Sequence, residues 1–335
     1  GNAAYFMTRQ GVIALGGFAF MILISRLDYR WYAKFYKLAI AVSWFMMIAV
    51  SFVGRRVNGK RRWLGVGPLS FQPTELVKIT IIVSVAALLV KLGRDVDRPA
   101  GIARIAMVVL PLAAIVAANN LSSGIIIAGI GFVMLFVASR KKLWYFLVMA
   151  AGGLVIAFAP QIGNGLRAIH LLKPSQLSRI NVWKNPEAFA SEGGYQVLQG
   201  LYAIGSGGLF GKGLGESIQK LGFVPEAQND MIFSIICEEL GLFGAVALIL
   251  VFMFMIYRFM VIASNAPDLF GCLLVVGVMA HIAIQVILNI AVVTNTIPNT
   301  GITLPFISYG GTSIVFLEAE MGMVLSVSNQ IKLEK

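Results

Sequence analysis

Charged residues, cysteine and histidine are all scarce in this sequence of 335 residues. Asp, Glu, Lys and Arg together make up only 13% of it, whereas soluble domains contain about 25%. The two cysteines, Cys237 and Cys272, lie in apolar runs without a CxxC or metal-ligand spacing, which argues against a disulfide framework or a zinc site. His170 and His281 are equally isolated, so neither is a convincing metal ligand.

Hydrophobic residues account for 58% of the chain, and the mean hydropathy is +0.84. No water-soluble fold buries that much apolar surface, and the apolar runs recur along the whole length. The sequence therefore predicts an all-α fold over residues 1–335, a single polytopic bundle of transmembrane helices. A span needs about 20 largely apolar residues. Nine segments qualify: 11–27, 37–54, 73–92, 102–118, 123–139, 143–160, 230–257, 268–291 and 306–328.

The placement of Lys and Arg predicts which way the bundle faces, because short cytoplasmic loops carry an excess of positive charge. Basic clusters recur on one side of the spans, at 26–37, 91–104 and 140–142, and that side also holds Arg258 and Lys332. We assign this side and the C-terminus to the cytoplasm. The first residue then lies outside, which predicts one further span upstream and ten in all. The net charge is +12, and the basic residues that produce it lie between the spans and not on one soluble face. Anionic lipid is therefore a more natural partner than nucleic acid.

Two segments on the outer side are candidates for function. Residues 161–229 form a long extracytoplasmic loop, rich in glycine at 205–215, that we expect to fold back as short helices. Residues 55–72 carry five basic residues against the orientation rule. Guanidinium groups such as those of Arg61 and Arg62 bind phosphate in a bidentate way. We therefore favour phosphate or pyrophosphate binding here over a solvated run of charge.

The segment FQPTELVK at 71–78 predicts the start of a helix. Pro73 is favoured in a first turn, and a glutamate there suits the positive end of the helix dipole. Glu75 and Lys78 are three residues apart and share one face. Because unpaired charge near lipid is costly, they form either a structural ion pair or a ligand contact.

Acidic residues near and inside the spans are further candidates. Asp230 falls where the long loop enters the seventh span. Burial there would raise its pKa and suit it as a general base, but aspartate is also a strong helix cap, and the residues alone leave both interpretations open. Four carboxylates lie inside spans, and we expect them to pair within the bundle: Glu238, Glu239, Glu318 and Glu320. Residues 295–313 contain Pro298 and Pro305, which break helices, so this segment is expected to wall a substrate cavity.

Five motifs in this order resemble the SEDS family (shape, elongation, division and sporulation), whose members include FtsW, RodA and SpoVE. They are NGKRRW, FQPTELVK, GSGGLFGKGLG, PEAQNDMIF with EELG, and PNTGITLPFISYGGTS. The resemblance covers essentially the whole chain. It implies ten spans, in agreement with the charge pattern. The stretch 289–301 is more similar to division and sporulation members than to RodA, which favours an FtsW-like protein.

The resemblance implies a peptidoglycan glycosyltransferase in the bacterial cytoplasmic membrane that polymerises lipid II into β-1,4 glycan strands at the outer face. Asp230 matches the essential aspartate of the family and would be the general base. Residues at other motif positions would bind the substrate or its pyrophosphate: Arg61, Arg62, Glu75, Lys78, Lys212, Ser308 and Tyr309. A divalent cation, Mg²⁺ or Mn²⁺, could share that task, and no nucleotide is needed. The main alternative is a flippase that transports lipid II or another polyprenyl lipid.

The expected partners are a class B penicillin-binding protein, which is the transpeptidase that crosslinks the product, and the division or elongation machinery. The chain departs from the family pattern in three places. Asn120 stands at a position that is usually acidic, and Asn295 replaces a common glycine. Glu318 and Glu320 replace residues that are usually uncharged.

Overall fold

The structure, a computed structural model, describes residues 3–57, 60–66, 69–158, 161 and 174–332. His170 and parts of three predicted segments (55–72, 143–160 and 161–229) lie outside the described residues. In chain order the α-helices are α1 (Ala3–Arg26), α2 (Tyr32–Val53), α3 (Pro73–Leu92), α4 (Pro99–Asn119), α5 (Leu121–Ala138), α6 (Leu143–Ala157), α7 (Pro174–Lys184), α8 (Gly194–Gly207), α9 (Ile232–Ser264), α10 (Leu269–Val293) and α11 (Gly311–Ser328).

The helices match the predicted membrane spans. Within the described residues, eight helices are long and apolar enough to cross a membrane, and α6 contains a shorter apolar helix at Leu143–Val155. Each of the nine predicted spans coincides with one of these helices, so the polytopic helical fold is confirmed. On α2, the side chains of Phe45 and Phe52 are 68% and 75% exposed. Apolar surface of this kind is stable when it faces lipid.

The chain divides into two compact units. The first comprises Gly1–Arg140, Met253–Ile284 and Tyr309–Lys335, and the second comprises Lys141–Phe252 and Gln285–Ser308. The long helices α9 and α10 therefore each contribute one part to each unit.

The core of the first unit is built around α3, which packs against α2, α4 and α5. Ile81, Ile82 and Val85 of α3 are fully buried. Gly277 of α10 allows close contact with this helix, because a Cβ there would lie 2.6 Å from Ile82 Cγ2. Tight helix packing through small residues is typical of membrane bundles.

A small antiparallel sheet connects α2 to α3 in the first unit. Its strands are β1 (Arg55–Val57), β2 (Lys60–Val66) and β3 (Leu69–Phe71), in the order β1-β2-β3. The sequence of residues 55–72 predicts a basic outer segment but no strands. The run of charges and glycines lacks the alternating apolar pattern that predicts a strand. Pairing with one another nevertheless satisfies the backbone hydrogen-bonding groups of the strands, which connect two membrane helices.

In the second unit, the glycine-rich segment pairs with a break in α9. The helix is interrupted at Gly241, where φ is 65° and ψ is −165°. Leu242 N donates to Gly208 O at 2.9 Å, and Lys212 N donates to Glu238 O at 2.9 Å. A Cβ on Gly211 would lie 2.1 Å from Glu239 O. Glycine is therefore required where the segment replaces the hydrogen bonds that the helix loses.

Candidate active site

Asp230 lies two residues before Ile232, the first residue of α9, and is contacted by side chains from elsewhere in the second unit. Gln196 of α8 places its amide nitrogen 3.4 Å from Asp230 Oδ1 and 3.3 Å from the carbonyl oxygen of Pro225. The amide oxygen of Gln196 accepts a 3.1 Å hydrogen bond from Asn299. Because this acceptor role fixes the orientation of the amide, the nitrogen of Gln196 is directed at the carboxylate.

The segment between α10 and α11 is fastened beside Asp230 by an amide inside α10. Asn289 Nδ2 donates to the main-chain oxygens of Asp230 and Ile302, at 2.9 Å and 2.6 Å. Gly301 has a φ of 69°, and a Cβ built on it would lie 3.4 Å from Asp230 Oδ2. The second carboxylate oxygen, Oδ2, therefore lies beside the backbone of Gly301, and a larger residue at that position would place its side chain in contact with the carboxylate.

Three residues other than glycine adopt left-handed backbone conformations near this part of the chain. Glu226, Asn295 and Phe306 have φ values of 56°, 53° and 63°. Asn295 is held there by two hydrogen bonds with Trp183, at 3.0 Å and 3.2 Å. A left-handed conformation suits glycine best, and asparagine is among the residues that tolerate it. Such strain tends to collect at functional sites.

The surroundings of Asp230 change its acidity. The pKa of the carboxyl is raised from 3.8 to about 6, chiefly by burial; a backbone hydrogen bond lowers it, the charge of Glu226 raises it, and Arg179 lowers it. Arg179 also donates to Asn299 O at 3.4 Å. A carboxylate with a pKa near 6 is still largely ionised at neutral pH and is a stronger base than an ordinary aspartate. Among the described residues, the side-chain hydrogen bond of Asp230 is to Gln196, which favours the base over the helix cap.

Glu238 and Glu239, in the first part of α9, pair with lysines of the preceding loop. Glu238 is fully buried and forms a 2.7 Å ion pair with Lys212, and it also accepts a hydrogen bond from Ser217. Glu239 forms a 2.6 Å ion pair with Lys220. Both glutamates are thus paired, as expected, but their partners lie in the preceding loop and not on other helices of the bundle. The substrate-binding role of Lys212 stays a prediction beside this structural one.

Ser308 ties the end of the segment after α10 to the residue before Asp230. Its hydroxyl donates to Asn229 O at 2.6 Å and accepts from Leu304 N at 2.7 Å. Ser308 thus positions the loop that carries the candidate base. Tyr309 follows it in the chain, belongs to the first unit and is partly exposed.

In the first unit, Glu75 and Lys78 form the ion pair expected from their spacing. Glu75 Oε2 lies 2.8 Å from Lys78 Nζ, and the two side chains are only 9% and 3% exposed. The helix begins at Pro73, as predicted, so Glu75 sits in its first turn. A buried pair of this kind is costly to break, because removing one partner leaves an uncompensated charge.

Arg61 and Arg62, on β2, both contact carbonyl groups at the C-terminal ends of helices in the first unit. Arg61 donates to Ser51 O at 2.8 Å and also to Phe52 O, at the end of α2. Arg62 donates to Asn119 O at 3.0 Å, at the end of α4. Cations are favourable at these ends because the helix dipole is negative there. A guanidinium has five N–H donors, so this role is compatible with a phosphate contact.

Of the remaining departures from the expected pattern, Asn120 and Glu320 have hydrogen-bond partners, and the buried Oε2 of Glu318 has none within the described part of the chain. Asn120 caps α5, since its side chain accepts a hydrogen bond from Ser123 N at 3.4 Å. Glu320 pairs with His281 at 2.7 Å, and both side chains are 1% exposed. For Glu318 the expected pairing was wrong: among the described residues its buried Oε2 has no hydrogen-bond partner. Glu318 packs against Gly17 of α1, which offers no side chain to pair with.

The predicted site residues fall into both units. Asp230, Lys212 and Ser308 belong to the second unit, and five others belong to the first: Arg61, Arg62, Glu75, Lys78 and Tyr309. Sequence reasoning missed the three amides beside Asp230. Asn289 carried a usable signal, because an amide inside an apolar span is uncommon. Gln196 and Asn299 lie in polar segments where nothing distinguished them from solvated residues.

The described residues offer little to a metal. They contain no group of three or more His, Cys, Asp or Glu side chains arranged to hold an ion. Mg²⁺ usually binds through one or two carboxylates together with substrate phosphates. A protein cage for a resident metal therefore does not fit the part of the chain that the structure describes.

Fold and site together define a polytopic membrane protein with a desolvated, amide-bound carboxylate at the start of a span. Residues 1–333 match the FtsW/RodA/SpoVE family of cell cycle proteins, and the chain belongs to that family. Stage V sporulation protein E of Bacillus subtilis (strain 168) is 37% identical over 98% of this chain and 88% of its own length. The probable peptidoglycan glycosyltransferase FtsW of the same organism is 34% identical over 99% of this chain and 83% of its own length.

Solved structures show the same fold. A chain from "Structural coordination of polymerization and crosslinking by a peptidoglycan synthase complex" has a TM-score of 0.80, with 26% identity over 99% of this chain and 92% of that one. The rod shape determining protein RodA of Thermus thermophilus has a TM-score of 0.71, with 26% identity over 98% of this chain and 89% of that one. The predicted SEDS membership is thus confirmed.

Proposed function

We infer that this chain is a peptidoglycan glycosyltransferase. A relative that is 34% identical over nearly the whole chain carries that name, and the fold is similar to a chain of a peptidoglycan synthase complex. The observation that carries the inference within this chain is Asp230. It combines a pKa of about 6 with a hydrogen bond from Gln196 to Oδ1 and a position at the start of a span.

The substrate we propose is lipid II, a disaccharide-peptide joined to undecaprenyl pyrophosphate. The 4-hydroxyl of the acceptor sugar attacks the anomeric carbon of the donor, and Asp230 takes the hydroxyl proton. The bond from the anomeric carbon to the pyrophosphate oxygen breaks, and the lipid pyrophosphate leaves with the bonding electrons. One β-1,4 glycosidic bond forms for each pyrophosphate released. Because Gln196 engages Oδ1, Oδ2 is the oxygen that receives the proton.

The leaving pyrophosphate needs positive charge, since charge develops on it as the bond breaks. We assign this task to Arg61, Arg62 and Lys78, with Glu75 holding Lys78 in place at 2.8 Å. The contacts of the two arginines with helix ends orient their guanidinium groups and reduce their loss of freedom on binding. Lys212, Ser308 and Tyr309 complete the proposed substrate contacts. No step of this reaction uses a metal, although Mg²⁺ or Mn²⁺ brought by the pyrophosphate would ease its departure.

The chain is a multi-pass membrane protein. We propose that the active site faces the outside of the bacterial cytoplasmic membrane and that the C-terminus is cytoplasmic, because Lys and Arg gather at the opposite ends of the spans. A penicillin-binding protein is the proposed partner, specifically a class B transpeptidase, within the division or elongation machinery. The solved complex couples polymerisation with crosslinking, which supports this pairing.

Purified protein with its partner and labelled lipid II tests the proposal. Wild type should form glycan polymer, and Asp230→Asn should form none while remaining folded. Asp95→Asn is the matched control, because Asp95 is an exposed aspartate paired with Arg98 in the first unit. Undiminished polymer in Asp230→Asn would remove the assigned base. Translocation of lipid II across vesicles without polymer formation would instead indicate a flippase.

A further inference from the structure

We propose that a cavity in the first unit binds the phosphate headgroup of an anionic phospholipid. The cavity has a volume of about 700 Å³, within the range of about 300–1,000 Å³ that is usual for small-molecule sites. It lies between the end of α9 and the end of α11, and its polar lining consists of Arg258, Lys332, Asn265 and Ser328. This binding would be separate from the glycan chemistry.

Two positively charged side chains, Arg258 and Lys332, line this cavity. Within the residues that the structure describes, neither Arg258 nor Lys332 forms an ion pair. Among the described residues of the adjoining segments, Asp28 and Asp268 already pair with Arg30, at 3.7 Å and 2.8 Å. Two cations that line one cavity repel each other unless an anion lies between them. Arginine binds phosphate through paired N–H donors, and lysine adds a point charge.

The apolar part of the lining favours a lipid over a soluble anion. Val261, Ile262 and Ile331 complete the cavity wall. The adjacent surface of α9 exposes Tyr257 and Met260, which are 54% and 50% accessible, on a helix that spans the membrane. A phospholipid presents an anionic phosphate beside apolar chains, which matches a wall with both characters. A soluble phosphate gains nothing from the apolar side.

The dipoles of α9 and α11 are unfavourable for a bound anion, so the binding free energy must come from the charged side chains. Both α9 and α11 end at the cavity, and helix C-termini carry partial negative charge. A basic residue near an anionic membrane surface contributes about 1 kcal/mol, which corresponds to about a fivefold change in affinity. Removing both cations should therefore weaken binding by about 25-fold.

Native mass spectrometry of the full chain in detergent, titrated with phosphatidylglycerol, measures this affinity. Arg258→Gln/Lys332→Gln should lose the tightest phosphatidylglycerol adduct by about 25-fold, and phosphatidylcholine with the same acyl chains should bind wild type far more weakly. The matched control is Lys34→Gln/Arg104→Gln, which removes the same net charge from two exposed residues outside the cavity. The control should change the affinity by less than about threefold.

Several outcomes would overturn the proposal. Equal losses in the two double variants would reduce the effect to general surface charge. Equal binding of the two lipids would remove the phosphate preference. Displacement of phosphatidylglycerol by inorganic phosphate at similar concentration would assign the cavity to a soluble anion. The charge-retaining Arg258→Lys/Lys332→Arg variant should keep most of the affinity, and its failure while folded would also count against the site.

Discussion

Lowering the pH from 7 to 5 should slow glycan polymerisation by about tenfold. Burial raises the pKa of Asp230 from 3.8 to about 6. The ionised fraction of such a carboxyl is about 0.9 at pH 7 and about 0.1 at pH 5, whereas a carboxyl with the ordinary pKa stays about 0.9 ionised at pH 5. Only the ionised form can accept the hydroxyl proton, so the acid limb of the rate should fall near pH 6 and not near pH 4.

Two substitutions should move this limb in opposite directions. The charge of Glu226 raises the pKa of Asp230 and that of Arg179 lowers it. Glu226→Gln should therefore shift the limb to lower pH, and Arg179→Gln should shift it to higher pH. Glu187→Gln is the control, since Glu187 is exposed in the same unit and is not among the charges that act on Asp230.

The assay is the initial rate of polymer formation from labelled lipid II between about pH 4.5 and 8, with folding checked at each pH. A rate that stays constant down to pH 5 would refute the assignment of a desolvated base. Shifts of the same sign in Glu226→Gln and Arg179→Gln would refute the electrostatic account of its pKa.

Three further predictions concern groups that position the site. Gln196→Ala should slow polymerisation by at least about tenfold, since a hydrogen bond to a charged group is worth about 1.5–3 kcal/mol. Loss of this bond to the ionised carboxylate should also raise the pKa of Asp230 and so move the acid limb to higher pH. A slower rate with an unmoved limb would contradict a direct effect on Asp230. Lys212→Met should lower the free energy of unfolding by about 3–5 kcal/mol because it leaves an uncompensated buried charge on Glu238. The double variant Lys212→Met/Glu238→Gln should regain much of this stability, as measured by thermal unfolding. Gly241→Ala should destabilise the protein more than Gly153→Ala in α6, because Gly241 combines a φ of 65° with a Cβ position 2.4 Å from Gly211 N, whereas a Cβ on Gly153 meets nothing within 4 Å. Equal unfolding temperatures would contradict the pairing of the glycine segment with α9.

The membrane helices could be predicted from sequence because apolar length is a local property. The span at 73–92 matches α3 residue for residue, since Pro73 and the apolar run that follows it define both ends. Residues 55–72 were not predicted to form strands, because their pairing depends on where α2 and α3 place the ends of the segment. The local sequence pattern contains no information about where those helix ends lie.

The charged residues of the candidate site could be predicted from the sequence, whereas their hydrogen-bond partners could not. Asp230 stood out because a carboxylate at the edge of a span is costly. Its neighbours Gln196 and Asn299 are separated from each other by 103 positions in the chain, so only the folded chain brings them together. Arg61 was interpreted as a phosphate ligand from its charge, and its contact with the end of α2 depends on the sheet that the sequence did not reveal.

Activity and stability measured together in Asp230→Asn test the central claim most directly. The pKa of Asp230 is raised in the folded state, so its carboxylate lowers stability as the pH rises through about 4 to 6, and above pH 6 the cost is fully present. The difference between 3.8 and about 6 corresponds to at most about 3 kcal/mol. Asparagine carries no charge and should recover part of this. We expect the variant to unfold at a higher temperature than wild type and to form no polymer from lipid II. Polymer formation at the wild-type rate would contradict the account.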